Sequence, residues 1–273
     1  MSLDAFFDPK SVAVVGASRT SGKVGHEILT ALIRAGFDGP IYPVNPKSDQ
    51  IEGLQSYPDL PSLPEDPGLV VVCVPPSAVP RVIEACGRRK VKAAAVITSG
   101  FKEIGDEGDK RERQLVQIAR RSGVRIIGPN CLGLMVPRKK LNASFGGDLP
   151  RSGEIGFFSQ SGSLLAAIVD LANVYRVGFS KLLSIGNKAD IDEIEVMKTL
   201  GRDPETKVIA GYLETISDGD AFVSAAERVS RDKPILIMKS GVTGAGAKAA
   251  SSHTGRLAGI ETAYECVFER AGV

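Results

Sequence analysis

An α/β protein of two domains is what the sequence predicts. Strand-length apolar runs alternate with helical patterns from end to end. Each half opens with a strand running into a turn of small residues and then a helix, and the alternation breaks once, over residues 137–153. The expected layout is a Rossmann-like, doubly wound domain over residues 1–145, then a flavodoxin-like α/β domain over residues 146–273. A length of 273 residues accommodates two cores of about 140 residues each.

The first half gives strands at 11–15, 40–44, 69–74, 93–98 and 125–128, with helices between them. Val24, Ile28, Leu32 and Ile33 recur at helical spacing, and Gly36 closes that helix. The second half gives strands at 155–158, 179–185, 207–213 and 234–238. A helix opens after the first of these at 164–171, and a last helix is expected from about residue 257.

Composition narrows the function classes. Hydrophobic residues at 43% and charged residues at 24% describe an ordinary globular chain without long disordered tails. A net charge of only +2 excludes the one-sided basic field that nucleic acid or an anionic membrane requires, so anionic ligands must be met locally. Cys73, Cys86, Cys131 and Cys266 form no Cys-x-x-Cys pair, and the chain has two histidines, so no metal site and no disulfide framework is expected. Together with the lack of a leader-like N-terminus or a membrane-length apolar run, this predicts a cytoplasmic protein.

The first strand runs into Gly16-Ala17-Ser18-Arg19-Thr20-Ser21-Gly22-Lys23-Val24-Gly25. Strand, glycine-rich turn and helix N-terminus make a phosphate cradle or, more simply, a tight βα turn. Neither the Walker A spacing nor the dinucleotide fingerprint is present, and Val24 stands where a magnesium-binding Ser or Thr would be. The second strand ends in Val44-Asn45-Pro46-Lys47 rather than in the Asp or Glu that holds a free ribose. Lys47 there favours a phosphorylated ribose, which leaves NADP and coenzyme A open. Val74-Pro75-Pro76-Ser77, Thr98-Ser99-Gly100-Phe101 and Gly128-Pro129-Asn130-Cys131 follow the remaining strands, at the carboxyl edge where such sheets bind ligands. Cys131 reads as a buried structural thiol and His26 as a packing or capping residue.

In the second half, Ser159-Gln160-Ser161-Gly162-Ser163 follows a strand and opens a helix. It is either an anion site at a helix N-terminus or ordinary capping by serine. Phe158 occupies the first position of a Gly-x-Ser-x-Gly elbow, which excludes that hydrolase device. Glu214 ends a later strand. His253 lies in Ala249-Ala250-Ser251-Ser252-His253-Thr254-Gly255-Arg256, a small-residue stretch suited to a moving loop. Imidazole attacks an activated phosphoryl group as the free base and leaves again, so His253, Glu214 and the Ser161 turn have the parts of a phosphohistidine site.

These motifs, taken together, resemble the α-subunit side of the NDP-forming acyl-CoA synthetases, the family of succinyl-CoA synthetase and ADP-forming acetyl-CoA synthetase. The likeness runs over essentially the whole chain, through Gly16-Ala17-Ser18, Asn45-Pro46-Lys47, Val74-Pro75-Pro76, Gly128-Pro129-Asn130-Cys131, Ser159-Gln160-Ser161-Gly162 and Ser252-His253-Thr254-Gly255. The resemblance implies that the first domain binds coenzyme A, through Gly16, Ala17, Ser18, Lys23, Val24, Lys47, Val74, Pro75, Pro76, Ser99, Gly100 and Asn130. It implies a phosphorylated His253 with Glu214 as partner, and phosphate held by Ser161, Gly162 and Ser163. The implied activity is that of an acetate-type acid–thiol ligase interconverting acyl-CoA, ADP and phosphate with a small carboxylic acid, CoA and ATP. ADP or ATP with Mg2+ would bind an ATP-grasp partner subunit or fused domain, without which the chain is expected to be inactive; an oligomer is expected. Two rival readings are a non-catalytic CoA-binding or protein-acylating module and an NADP-dependent oxidoreductase.

Overall fold

The computed structural model describes residues 3–241 and 267–273. The first half contains α1 (Asp4–Phe7), β1 (Val12–Val15), α2 (Val24–Ala35), β2 (Ile41–Val44), β3 (Gln50–Ile51), β4 (Leu54–Gln55), β5 (Leu69–Val72), α3 (Val79–Arg88), β6 (Ala93–Val96), α4 (Asp106–Ser122) and β7 (Arg125–Ile127). The second contains β8 (Gly133–Val136), β9 (Leu141–Ser144), β10 (Ser152–Ser159), α5 (Gly162–Tyr175), β11 (Phe179–Ser184), α6 (Glu193–Arg202), β12 (Val208–Leu213), α7 (Gly219–Ser230) and β13 (Ile235–Lys239). Among the described residues, no helix is long and apolar enough to cross a membrane.

The first sheet has the order β2-β1-β5-β6-β7 and every pairing is parallel. β1, β5 and β6 are buried along their whole length. That is why Val-Ala-Val-Val and Leu-Val-Val-Val read as continuous apolar runs: helices cover both faces of a doubly wound sheet. In α2 the buried stripe is Ile28, Leu29 and Leu32, while Val24 and Ile33 stay partly exposed. Gly36 ends the helix in the left-handed conformation, as its position in the sequence predicts.

The second sheet has the order β13-β12-β10-β11-β8-β9. Its first four strands are parallel, and the β8–β9 hairpin joins antiparallel through β11. Sheet membership therefore changes at Gly133, ahead of the boundary expected near residue 145. The reason lies in the side chains of β8. Leu134 packs into the apolar cluster that runs through both halves, whereas Met135 packs with Leu165 and Val169 on the opposite face. A strand buried on both faces reads as more of the same α/β pattern, and the sequence carries no mark of which sheet receives it.

The halves are joined by backbone as well as by core. Asn187 N–H donates to the Pro129 carbonyl at 2.9 Å, and Ala189 N–H donates to the Gly128 carbonyl at 3.1 Å. Gly186 makes this approach possible, since a Cβ there would lie 2.4 Å from the Pro129 oxygen. Arg125, in the first half, reaches across with Nε to Asp190 at 2.8 Å and with both terminal nitrogens to Glu195 at 2.8 and 2.7 Å. Hydrogen bonding to Glu195, then to Asp190, holds the guanidinium charged above its ordinary range. Arg125→Met leaves Asp190, whose side chain is 10% exposed, without its cation. The expected loss is about 2–3 kcal/mol, below the ~3–5 kcal/mol of a fully buried pair, read as a lowered thermal midpoint.

Candidate active site

Both sheets place a switch point at the same cleft. In the first sheet the strand order reverses between β1 and β5, and in the second between β10 and β12. Ligands of open α/β sheets bind in the crevice beyond the strand ends at such points. The two crevices open into one cleft of about 2160 Å³. That exceeds the ~300–1,000 Å³ of an ordinary small-molecule pocket and suits a long ligand meeting a second reactant.

On the first-half wall, β1 runs into the Gly16 turn, and α2 begins at Val24 with no side chain capping it. Its free N–H groups and dipole favour an anion. A Cβ on Gly25 would lie 2.1 Å from the Gly16 carbonyl oxygen, so glycine there lets the helix seat directly on the turn. The turn is stitched from two sides. His26 Nδ1 lies 3.1 Å from the Ser18 carbonyl, and Asn45 Nδ2 donates to the Ala17 carbonyl at 2.7 Å. Lys23, Lys47, Arg81 and Arg88 line this wall, and none forms an ion pair among the described residues. Four cations without carboxylate partners around an uncapped helix are suited to a multiply phosphorylated ligand.

The seam carries Asn130 and Cys131. Cys131 is buried and donates to the Val96 carbonyl at 3.3 Å. Burial pushes its thiol up to about 12, so no thiolate nucleophile is present at neutral pH. Asn187, from the second half, binds the carboxylates of Glu103 at 2.6 Å and Glu112 at 2.8 Å. Burial alone would raise the Glu103 carboxyl, but the Asn187 amide and the backbone N–H of Gly100 outweigh it and hold it below its usual range.

On the second-half wall, Ser161 caps α5: its Oγ accepts from Leu164 N–H at 3.3 Å and lies 3.1 Å from Ser163 Oγ. Gln160 joins this turn to the one after β12, its Oε1 accepting from Glu214 N–H at 3.0 Å and Thr215 N–H at 3.1 Å. A second fastening comes from Lys188, whose side chain is 4% exposed. Its ammonium sits 2.8 Å from Glu193, which is 0% exposed, and donates to the Thr215 carbonyl at 2.8 Å. Glu193 in turn accepts from Ser217 N–H at 2.6 Å. The turn presenting Glu214 is thus held at Thr215 and Ser217 as well as by Gln160. Burial pulls the Lys188 ammonium below the ordinary lysine range despite the Glu193 charge. Burial does the same to Lys239 at the end of β13, with the Glu214 carboxylate opposing.

Comparisons with known proteins agree with this arrangement. Residues 10–137 match a family described as a CoA binding domain, and residues 152–273 match a succinyl-CoA ligase like flavodoxin domain. The chain is 45% identical over 271 residues to acetate–CoA ligase (ADP-forming) I of Archaeoglobus fulgidus, covering 99% of this chain and 39% of that protein. It is 43% identical over 277 residues to the α subunit of acetate–CoA ligase (ADP-forming) I of Pyrococcus furiosus, covering 100% of this chain and 60% of that one. The chain belongs to the NDP-forming acyl-CoA synthetase family. Among solved structures, acetyl-coenzyme A synthetase 1 of Ca. Korarchaeum cryptofilum, in complex with phosphate and ADP, superposes with a TM-score of 0.94 at 42% identity. That match covers all of this chain and 59% of the other. The chain spans between two fifths and three fifths of the length of these relatives.

The structure brings most of the sequence-derived site to the cleft. Gly16, Ala17, Ser18, Lys23, Val24, Lys47, Val74, Pro75, Pro76, Ser99 and Asn130 line its first wall or seam, and Ser161, Gly162, Ser163 and Glu214 line its second. Gly100 differs. It lies behind Pro76, donating to Glu103 and accepting from Arg111, and shapes the turn without lining the cleft. His253 lies outside the described residues. Sequence reasoning quoted Gln160 and Gly25 within their turns without giving either its own role, and passed over Asn187, Lys188 and Glu193 altogether. The signal present was Gly186-Asn187-Lys188, a glycine-led turn with an amide and a cation immediately after a strand.

Lys188→Met strands a fully buried carboxylate, with an expected cost of about 3–5 kcal/mol, whereas the double change Lys188→Met with Glu193→Leu removes both charges and costs less than the single change. Denaturant midpoints of the two variants check this order.

Proposed function

We propose that this chain is the CoA-binding and phosphohistidine-carrying part of an ADP-forming, acetate-type acyl-CoA synthetase. Coenzyme A is a substrate whose phosphates suit the uncapped start of α2 with Lys23, Lys47, Arg81 and Arg88, and whose thiol end belongs at the seam near Pro76 and Asn130. Phosphate belongs at the start of α5, with Ser161 and Ser163. The observation that carries the reading is the opening of both switch points into one cleft, because thioester carbon and phosphate oxygen must meet there.

The chemistry follows from those positions. A phosphate oxygen attacks the thioester carbonyl, the C–S bond breaks, and CoA leaves as thiolate. An imidazole nitrogen of His253 then attacks the phosphorus of the acyl phosphate, and the carboxylate leaves as the P–O bond breaks. ADP attacks phosphohistidine, the P–N bond breaks, and ATP forms. Glu214 stabilises the imidazolium that develops on phosphorylation, and the α5 dipole stabilises phosphate charge. The nucleotide requires an ATP-grasp subunit or fused domain, for which the greater length of the relatives leaves room. The Korarchaeum neighbour, solved with phosphate and ADP, supports a reaction that uses both. We place the protein in the cytoplasm, acting on a small carboxylic acid within an oligomer.

The test is incubation of the chain, reconstituted with its ATP-grasp part, with acyl-CoA and radiolabelled phosphate. Acid-labile, base-stable label on the wild type and none on His253→Ala is the expected result. Label persisting on His253→Ala refutes the phosphohistidine role. Parallel calorimetry with CoA, NADP and NAD is expected to give micromolar binding for CoA alone; NADP binding without CoA would instead support an oxidoreductase.

A further inference from the structure

Phe145 is the only aromatic residue among the described residues lining the cleft, and it is 39% exposed. An exposed Phe on a floppy loop would carry little meaning, but this one is held in place. It follows directly on β9, and its N–H donates to the Leu132 carbonyl at 3.4 Å. The residues behind it form a hydrogen-bonded knot: buried Ser144 donates to buried Asn142 at 2.8 Å, Asn142 donates to the Gly147 carbonyl at 3.0 Å, and Gly146 N–H donates to Ser144 at 3.3 Å. Polar groups satisfied beneath the loop keep the apolar ring facing the cleft.

The neighbourhood of the ring is apolar. Leu132 packs against the first turn of α5, its Cβ lying 3.5 Å from where a Cβ on Gly162 would stand, and Ala166 lines the cleft one turn further along that helix. Among the described residues, the cations nearest this seam are already neutralised: Lys188 by Glu193 and Lys102 by Glu112. Resting on the synthetase reading, the position of the acyl group follows from bonding alone. It is attached to CoA sulfur on the first wall and to phosphate oxygen on the second, so its tail must lie at the seam between Asn130 and Ser163.

We propose that Phe145, with Leu132 and Ala166, forms the wall that receives the acyl tail, selecting carboxylic acids with an uncharged apolar tail and limiting their bulk. A second carboxylate on the tail would enter this seam with no unpaired cation among the described residues beside the ring to meet it. Hydrophobic walls discriminate by size at about 10- to 200-fold per methylene-scale change, so truncation of the ring should be visible in substrate preference.

The experiment uses the chain reconstituted with its ATP-grasp part and measures kcat/KM for acetate, isovalerate, phenylacetate and succinate. The wild type is expected to prefer the monocarboxylates over succinate. Phe145→Ala is expected to raise phenylacetate relative to acetate by about 10-fold or more, with KM for CoA and ATP unchanged, and Phe145→Trp to shift preference the other way. Phe145→Leu gives the same direction as alanine if the alanine variant fails to fold. A uniform change across all four acids, or a preference for succinate, overturns the assignment of this wall. Absence of acyl-CoA formation from every acid in the wild type overturns the synthetase reading itself, and this inference with it.

Discussion

Two backbone hydrogen bonds set the geometry on which the rest depends: Asn187 to Pro129 and Ala189 to Gly128. They join the turn after β11 of the second sheet to the segment leaving β7, the last strand of the first. Each sheet alone offers a half-open crevice at its switch point. Fastened at this place, the crevices face each other, and a ligand held by one helix N-terminus can be attacked by a ligand held at the other. Gly186 is the residue that permits it, because any Cβ would collide with the Pro129 and Asn130 carbonyls. A single steric condition at one turn thus connects fold to chemistry. The same turn contributes Asn187 to the carboxylates of α4 and its approach, and Lys188 to the turn carrying Glu214.

That arrangement explains why the ionic groups near the seam are paired and those along the first wall are not. Reacting groups need fixed surroundings, so the side chains of Lys188 and Glu193 are buried, Gln160 is half-buried, and all three hold backbone. Their work is positional: a buried ammonium facing a buried carboxylate brings little net stability but fixes the register of whatever it touches. Lys23, Lys47, Arg81 and Arg88 are exposed on the cleft wall without ion-pair partners among the described residues, as the proposed binding of a phosphorylated ligand there requires.

The parallel sheets were legible in the sequence because continuous apolar runs such as residues 69–72 and 12–15 have only one comfortable home, a strand covered on both faces. The phosphate-type turns were legible because glycine and serine between strand and helix carry a direct backbone meaning. The β8–β9 hairpin was not, since Leu134 and Met135 are equally apolar and only tertiary pairing with Leu183 and Leu182 assigns their sheet. Lys188 was hidden for a related reason. A lysine in a loop normally reads as solvated, and its burial depends on Glu193 folding over it from a different element.

Phe145 shows the same limit from the opposite side. In sequence it stands in Asn142-Ala143-Ser144-Phe145-Gly146-Gly147, an unremarkable stretch in the break between the two halves. Only once Asn142 and Ser144 are seen buried beneath the loop does the ring's exposure acquire a cause. An apolar side chain facing solvent is ordinary on a convex surface. Held over a cleft by satisfied polar groups, and set beside the start of α5, it is the surface on which the proposed acyl contact rests. Under the proposed reaction the seam divides its labour: polar backbone and serine hydroxyls would meet the charged end of the intermediate, and the ring the end that carries no charge.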